Sequence, residues 1–95
     1  MSLRFEWDPK KAEANLAKHD VSFEEALTVF VDPLARIFPD HEHSIDEFRE
    51  IIIGHSAGQQ LILVNFIEIE ERVRIISARK ATRREREDYE ENVSS

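Results

Sequence analysis

RVRIISARKATRREREDY, residues 72–89, is where the chain changes from strand to helix. Apolar and polar residues alternate from Arg72. Val73, Ile75 and Ser77 are therefore expected on one face of a strand, and Arg74, Ile76 and Ala78 on the other. Thr82, with Glu85 three residues on, is a capping box that starts a helix. The stretch is also lopsided in charge. Residues 72–86 hold seven Lys or Arg side chains and one acid, Glu85, a local sum of +6. The whole chain carries −7, which leaves −13 for everything else. The acidic balance argues against general coating of nucleic acid, so a nucleic-acid site has to be local to this basic corner.

The segments upstream say what the corner is attached to. Residues 61–67 are the most apolar run and are expected as a central strand buried on both faces. Residues 47–53 read as another strand, closed by Gly54, and residues 34–38 as a short one. Residues 55–59, with Gly58, make a hairpin connection. Links this short predict an antiparallel meander of strands two to five. Nearer the N-terminus, Asp8 as N-cap and Pro9 at N1 start a helix that runs to about His19, with Ala12 and Leu16 inward. Ser22 and Glu25 box a second helix, 22–31, with Val21 placed to staple onto Ala26 and with Phe23, Ala26, Leu27 and Phe30 inward. Residues 2–6 alternate as a short first strand.

The order is β-α-α-β-β-β-β-α. It predicts an α+β fold in which two N-terminal helices cover one face of a mainly antiparallel sheet. Phe23, Leu27, Phe30, Leu16, Leu63 and Ile75 are expected in one cluster. The other face is left for water, ligand or a partner. The terminal helix has only Tyr89 and Val93 as sizeable apolar side chains and relies on the pairs Arg83/Glu87, Arg84/Asp88 and Arg86/Glu90. Residues 1–95 are thus expected as one domain, with 82–95 loosely attached or docked on another chain.

Composition narrows the function. There is no cysteine, which excludes disulfides and thiolate metal sites and makes a reducing cytoplasm natural. No apolar run approaches the roughly 20 residues that span a bilayer, and the N-terminus lacks a signal peptide's apolar core. Two glycines leave no phosphate-cradling loop, and no nucleophile elbow or dinucleotide fingerprint is present.

Several residues could carry chemistry. Arg74, Arg79, Lys80, Arg83, Arg84 and Arg86 could hold phosphates beside the helix N-terminus at Thr82. The plainer reading for the helix arginines is a solvated face of ion pairs. Arg79 has no acidic partner at helical spacing, which favours a functional role. Glu47 and Arg49 lie two apart in the expected strand and share a face, as base and phosphate clamp or as a cross-strand ion pair. His41 and His43, next to Asp40, fall short of a defined metal-ligand pattern. His43 suits general acid or base work, because its unperturbed pKa lies near neutrality. His19 could face the same site, although it also caps the first helix electrostatically. No metal and no cofactor is expected.

The sequence resembles the BrnT family of toxins. The resemblance rests on Phe5-Glu6-Trp7-Asp8, Lys11, Asn15, Lys18-His19 and the run from Val21 to Ala26. It continues through Phe30, Asp32-Pro33, His43-Ser44, Glu47, Arg49 and Gly54, and it closes with residues 74–81, Glu85-Arg86 and Tyr89. It implies a RelE-like ribonuclease fold and a toxin that halts translation by cutting RNA. It also implies a cognate ribbon-helix-helix antitoxin, with a homodimer or a toxin–antitoxin heterotetramer among the assemblies it allows. In a metal-independent cleavage Arg79 and Arg74 would stabilise the phosphorane. Glu47 or His43 would be the base, with His19 in reserve, and Arg49 would clamp. Two departures weaken the pull on RNA: Ile69-Glu70-Glu71 stands where relatives often carry an arginine, and residues 87–91 are acidic. The alternative reading is a partner-binding module that keeps antitoxin binding with weak or no nuclease activity. A solitary nucleic-acid-binding domain is disfavoured by the −13 outside the corner.

Overall fold

A computed structural model of the chain describes residues 4–43 and 47–94, except for the side chains of His43, Val93 and Ser94. The start of the expected first strand, Ser44, and the roles read for the His43 and Val93 side chains lie outside the described residues. The elements follow the expected order. They are β1 (Arg4–Glu6), α1 (Pro9–His19), α2 (Phe23–Thr28), β2 (Arg36–Pro39), β3 (Glu50–His55), β4 (Leu61–Ile69), β5 (Arg72–Lys80) and α3 (Arg83–Ser94). One sheet is ordered β1-β5-β4-β3-β2. Strands β2 to β5 are the antiparallel meander, and β1 adds to β5 in parallel, from Arg4↔Arg72 to Glu6↔Arg74. Among the described residues no helix is long and apolar enough to cross a membrane.

The capping residues do what their chemistry allows. Asp8 accepts from the Lys10 N–H at 2.8 Å and Ser22 from the Glu25 N–H at 3.0 Å. At α3 the box closes both ways, since Glu85 N–H donates to Thr82 Oγ1 at 3.2 Å and Thr82 N–H to Glu85 Oε1 at 2.8 Å. Boundaries differ more than caps do. Helix α2 stops at Thr28 and tightens into a 3₁₀ turn, Val29–Val31. Strand β3 begins at Glu50, so Glu47 and Arg49 lie in the segment before it, and it runs through Gly54 to His55. Gly54 is required there by close approach: a Cβ would sit 2.9 Å from both the Ala35 Cβ and Asp32 Oδ2.

Helices α1 and α2 cover one face of the sheet. Val21, Phe23, Ala26, Val29, Ile52, Ile62, Val64, Phe66, Val73, Ile75 and Ala78 form its core, with Leu27 and Phe30 packed against it. Phe30 stands edge-on to Phe5 and Phe66 at 5.0 and 5.1 Å. Two expected members are not there. Leu16 is 49% exposed, because the inward positions of α1 are Ala12, Asn15 and His19. Leu63 belongs to a second cluster on the opposite face, with Ile53, Leu61 and Tyr89, since it alternates with Ile62 and Val64. The second cluster explains why β4 is buried on both faces.

Strand β5 departs from simple alternation. Asn65 pairs with Ser77, but Phe66 pairs with Ile75, so Ile76 is an extra residue, a β-bulge. The expected facing is thereby corrected. Val73, Ile75 and Ala78 all face the helices, whereas Arg74, Ser77 and Arg79 face the other way. Arg74 and Arg79 are an odd number of residues apart, and only the bulge puts them on one face.

Candidate functional site

The face away from α1 and α2 is built of rows that cross the strands. One row is Arg36–Ile53–Leu63–Arg79, and the next is Phe38–Ile51–Asn65–Ser77. Arg36 and Arg79 are three strand spacings apart, about 14 Å at roughly 4.8 Å each. Helix α3 crosses this face. A cleft of about 280 Å³ lies between them, lined by Arg36, Phe38, Ile51, Ile53, Leu63, Arg79, Glu85, Asp88, Tyr89 and Asn92. Its floor is apolar, an arginine stands at each end, and Glu85 and Asp88 of α3 balance their charge.

Arg79 is held at one end. Its Nη1 and Nη2 donate to the two Glu85 oxygens, both at 2.8 Å. The expectation that Arg79 lacks an acidic partner is therefore wrong. The partner comes from the first turn of α3, and the turn that separates them hides it from any helical spacing rule. The fork raises the Arg79 pKa further and, chiefly through that hydrogen bond, holds the Glu85 carboxyl down at about 2. A carboxylate depressed in this way stabilises the fold above its ordinary range and loses that contribution as pH falls through its folded value. Acidifying from about 4.5 to about 2 is thus expected to loosen the start of α3. NMR titration of the Glu85 carboxyl carbon checks this, and a midpoint near 4.5 would refute the fork.

At the other end, Arg36 Nη2 donates to the Asn92 carbonyl at 2.7 Å. Tyr89, 4% exposed, lies over Ile53, Leu61 and Leu63, and its hydroxyl donates to the Leu34 carbonyl at 3.3 Å. Burial pushes the Tyr89 pKa up, so the phenol stays neutral. Its ring meets His55 edge-on at 5.6 Å. In the middle of the face Ser77 Oγ donates to Asn65 Oδ1 at 3.3 Å, and Asn65 Nδ2 donates to Asp40 Oδ2 at 2.8 Å. The Asp40 N–H donates to the Arg49 carbonyl at 2.9 Å. A polar chain so runs from β5 across the face to the segment that holds Arg49 and Glu47, which pair at 3.6 Å.

The other candidates are spread more widely. Arg74 is on the same face, roughly 16 Å along β5 from Arg79 at about 3.3 Å per residue. It is joined there to Glu6 at 2.9 Å, with Arg72 also on Glu6 at 3.3 Å. The Arg74 hydrogen bond is the main reason that the Glu6 carboxyl is held below its usual range. Lys80 follows Arg79 and turns to the helix side, 3.9 Å from Asp20, with His19 in the last turn of α1. Arg83, Arg84 and Arg86 are exposed on the first half of α3, Arg83 paired with Glu87 at 3.3 Å. His41 and the backbone of His43 lie in a 3₁₀ turn after β2. Arg36, Asn65, Ser77 and Glu85 were missed as site residues. Strand register brings Arg36, Asn65 and Ser77 to the Arg79 face, and a single sequence does not carry register; Glu85 comes from the first turn of α3.

Comparison with known proteins supplies the context. The family model described as the ribonuclease toxin BrnT of type II toxin–antitoxin systems matches residues 7–85, which take in both arginines of the cleft and the Arg79–Glu85 fork. No curated protein matches the chain. Among solved structures, the 1.1 Å crystal structure of the Brucella abortus ribonuclease toxin BrnT is similar at 27% identity and a TM-score of 0.68, over 86% of this chain and 100% of that one. Fold, matched range and structural likeness agree, and the chain belongs to the BrnT family of ribonuclease toxins of type II toxin–antitoxin systems.

Proposed function

We propose that this chain is a metal-independent endoribonuclease that halts translation by cutting RNA, with the Arg36–Arg79 cleft as the place where the reacting phosphate sits. The observation that carries the reading is Arg79 itself. The bulge brings it to the open face, and Glu85 aims it over an apolar floor. A guanidinium already held in one orientation stabilises a developing phosphorane without having to reorganise as the charge appears. Of the five Arg79 N–H donors two go to Glu85 and one to the Lys80 carbonyl at 3.3 Å, and the phosphate takes those that remain or displaces the carboxylate.

Cleavage by the RNA's own 2′-hydroxyl needs a base for that proton and an acid for the leaving 5′ oxygen. Glu85, held near 2, is a poor base, and Tyr89 stays protonated. The base is Glu47, at the far end of the polar chain through Asp40, or else His43, with Arg49 as clamp. Arg74, so far from Arg79, holds a neighbouring phosphate. Lys80, His19, Arg83, Arg84 and Arg86 guide the flanking RNA electrostatically. The toxin acts in the cytoplasm, where its substrate is. The antitoxin that a type II toxin requires is a ribbon-helix-helix protein, in a heterotetramer or on a toxin homodimer, and it neutralises by covering the open face.

Purified chain is expected to cut single-stranded RNA, and to keep cutting it in excess EDTA. Among the described residues no group of three or more His, Cys, Asp or Glu side chains could hold a metal ion. Loss of cleavage on chelation, with recovery on added Zn²⁺ or Mg²⁺, would overturn metal independence. A folded chain that binds its antitoxin and cuts no RNA would favour the partner-binding reading.

A further inference from the structure

We infer that Asn15, on helix α1, is a positioning residue for Arg79. Strand β1 pairs with β5 only from Arg72 to Arg74, so among the described residues the outer edge of β5 beyond Arg74 has no neighbouring strand. Ala78 turns both its N–H and its C=O to that bare edge. The Asn15 carboxamide replaces the missing strand. Its Oδ1 accepts from the Ala78 N–H at 3.0 Å, and its Nδ2 donates to the Ala78 carbonyl at 2.8 Å. The second Nδ2 hydrogen goes to the Val21 carbonyl at 2.9 Å, which ties the same amide to the chain between α1 and α2. Asn15 is 7% exposed, and all the partners of its carboxamide are backbone groups.

The position of this clamp matters. It grips β5 two residues after the bulge at Ile76 and one before Arg79. Each residue by which a bulge shifts along a strand turns the residue it passes to the opposite face. Between the bulge and Arg79 this strand gives the helix-side core only Ala78, a small side chain. The amide, by contrast, accepts only a residue whose N–H and C=O both face outward. Fixing Ala78 in that way fixes Arg79 facing the cleft and within reach of Glu85. A residue on the helical face of the sheet so sets the aim of a guanidinium on the other face.

The consequence for cleavage rests on the ribonuclease reading above, and the primary test does not. The reporter is the Glu85 carboxyl, whose titration near 2 depends first on the Arg79 fork. Asn15→Leu keeps the branched shape and the number of side-chain heavy atoms and removes all three hydrogen bonds. Asn15→Ser, too short to reach Ala78, serves if the leucine variant does not fold. In a folded variant the Glu85 midpoint is expected to rise by one pH unit or more, and kcat for RNA cleavage to fall at least tenfold with KM little changed. The variant Asn15→Leu/Arg79→Ala is expected to be no less active than Arg79→Ala alone. A folded Asn15 variant whose Glu85 still titrates near 2 would overturn the proposal, whatever its activity. If the unchanged chain cuts no RNA, the ribonuclease reading fails and the Glu85 titration still decides the role of Asn15.

Discussion

Replacing Arg79 with alanine is expected to lower RNA cleavage by about 10²–10³-fold, the usual loss for one preorganised charge-stabilising donor. Growth inhibition by the chain expressed without antitoxin should disappear with it. The fold should survive. The Arg79 side chain is 40% exposed at the end of β5, and a partly exposed ion pair contributes little to stability. Glu85 keeps its bond from the Thr82 N–H, so the α3 start is still capped. Arg79→Lys is expected to recover only a small part of the activity. An ammonium restores the charge but cannot present two parallel N–H groups to a carboxylate or a phosphate. Cleavage assays with far-UV circular dichroism on the same samples separate chemistry from folding. An alanine variant that is folded and equally toxic would make Arg79 a structural tie for α3.

Local chemistry in this chain is legible from sequence where a few adjacent residues decide it. Asp8-Pro9, Ser22 with Glu25, and Thr82 with Glu85 are each complete within four residues, and all three helices start where they say. Short links make the meander for the same reason, because Glu70-Glu71 between β4 and β5 and residues 56–60 between β3 and β4 leave no room for a crossover. The pairing of β1 is a different matter. A three-residue strand carries no signal for its partner, and its place beside β5 depends on how α1 returns the chain to the sheet.

The candidate site is legible by residue type and not by geometry. Seven basic residues in one stretch marked the corner, and Arg79 within it. The facing of those residues could not be read, because alternation holds only until a bulge, and Ile76 looks like any other strand residue. Arg36 was invisible for a related reason. It stands 43 positions before Arg79, and three register choices, β2 on β3, β3 on β4 and β4 on β5, have to be made before the two share a row. Asn15 contacts Ala78 across 63 positions, a pairing that only the finished fold creates.

Tyr89→Ala is expected to detach helix α3 while leaving the sheet folded. The helix is twelve residues long, near the lower limit at which even strong helix formers persist alone in water. It attaches at few places. Burying the Tyr89 ring contributes roughly 1.5–3 kcal/mol, and its hydroxyl bond to Leu34 about 1 kcal/mol more. The Arg79–Glu85 fork is partly exposed, and Arg36 adds one bond to the Asn92 carbonyl. Ordering costs of about 1–2 kcal/mol for each backbone residue stand against these sums, offset only in part by the helix's own hydrogen bonds. Removing the ring therefore costs about 3 kcal/mol or more locally, on the order of 100-fold in the opening equilibrium. Amide exchange at 83–92 should accelerate by that factor, while β3, β4 and β5 keep their protection through the core on the α1–α2 side. Because Glu85 rides on α3, Arg79 should lose its anchor at the same time, and the Glu85 carboxyl should titrate closer to its ordinary value. A partner that covers the open face should restore protection in the variant, since it would replace Tyr89 on Ile53, Leu61 and Leu63. Exchange at 83–92 as slow in the variant as in the parent would show that the two arginine contacts alone hold α3, and that the helix is a fixed wall of the cleft.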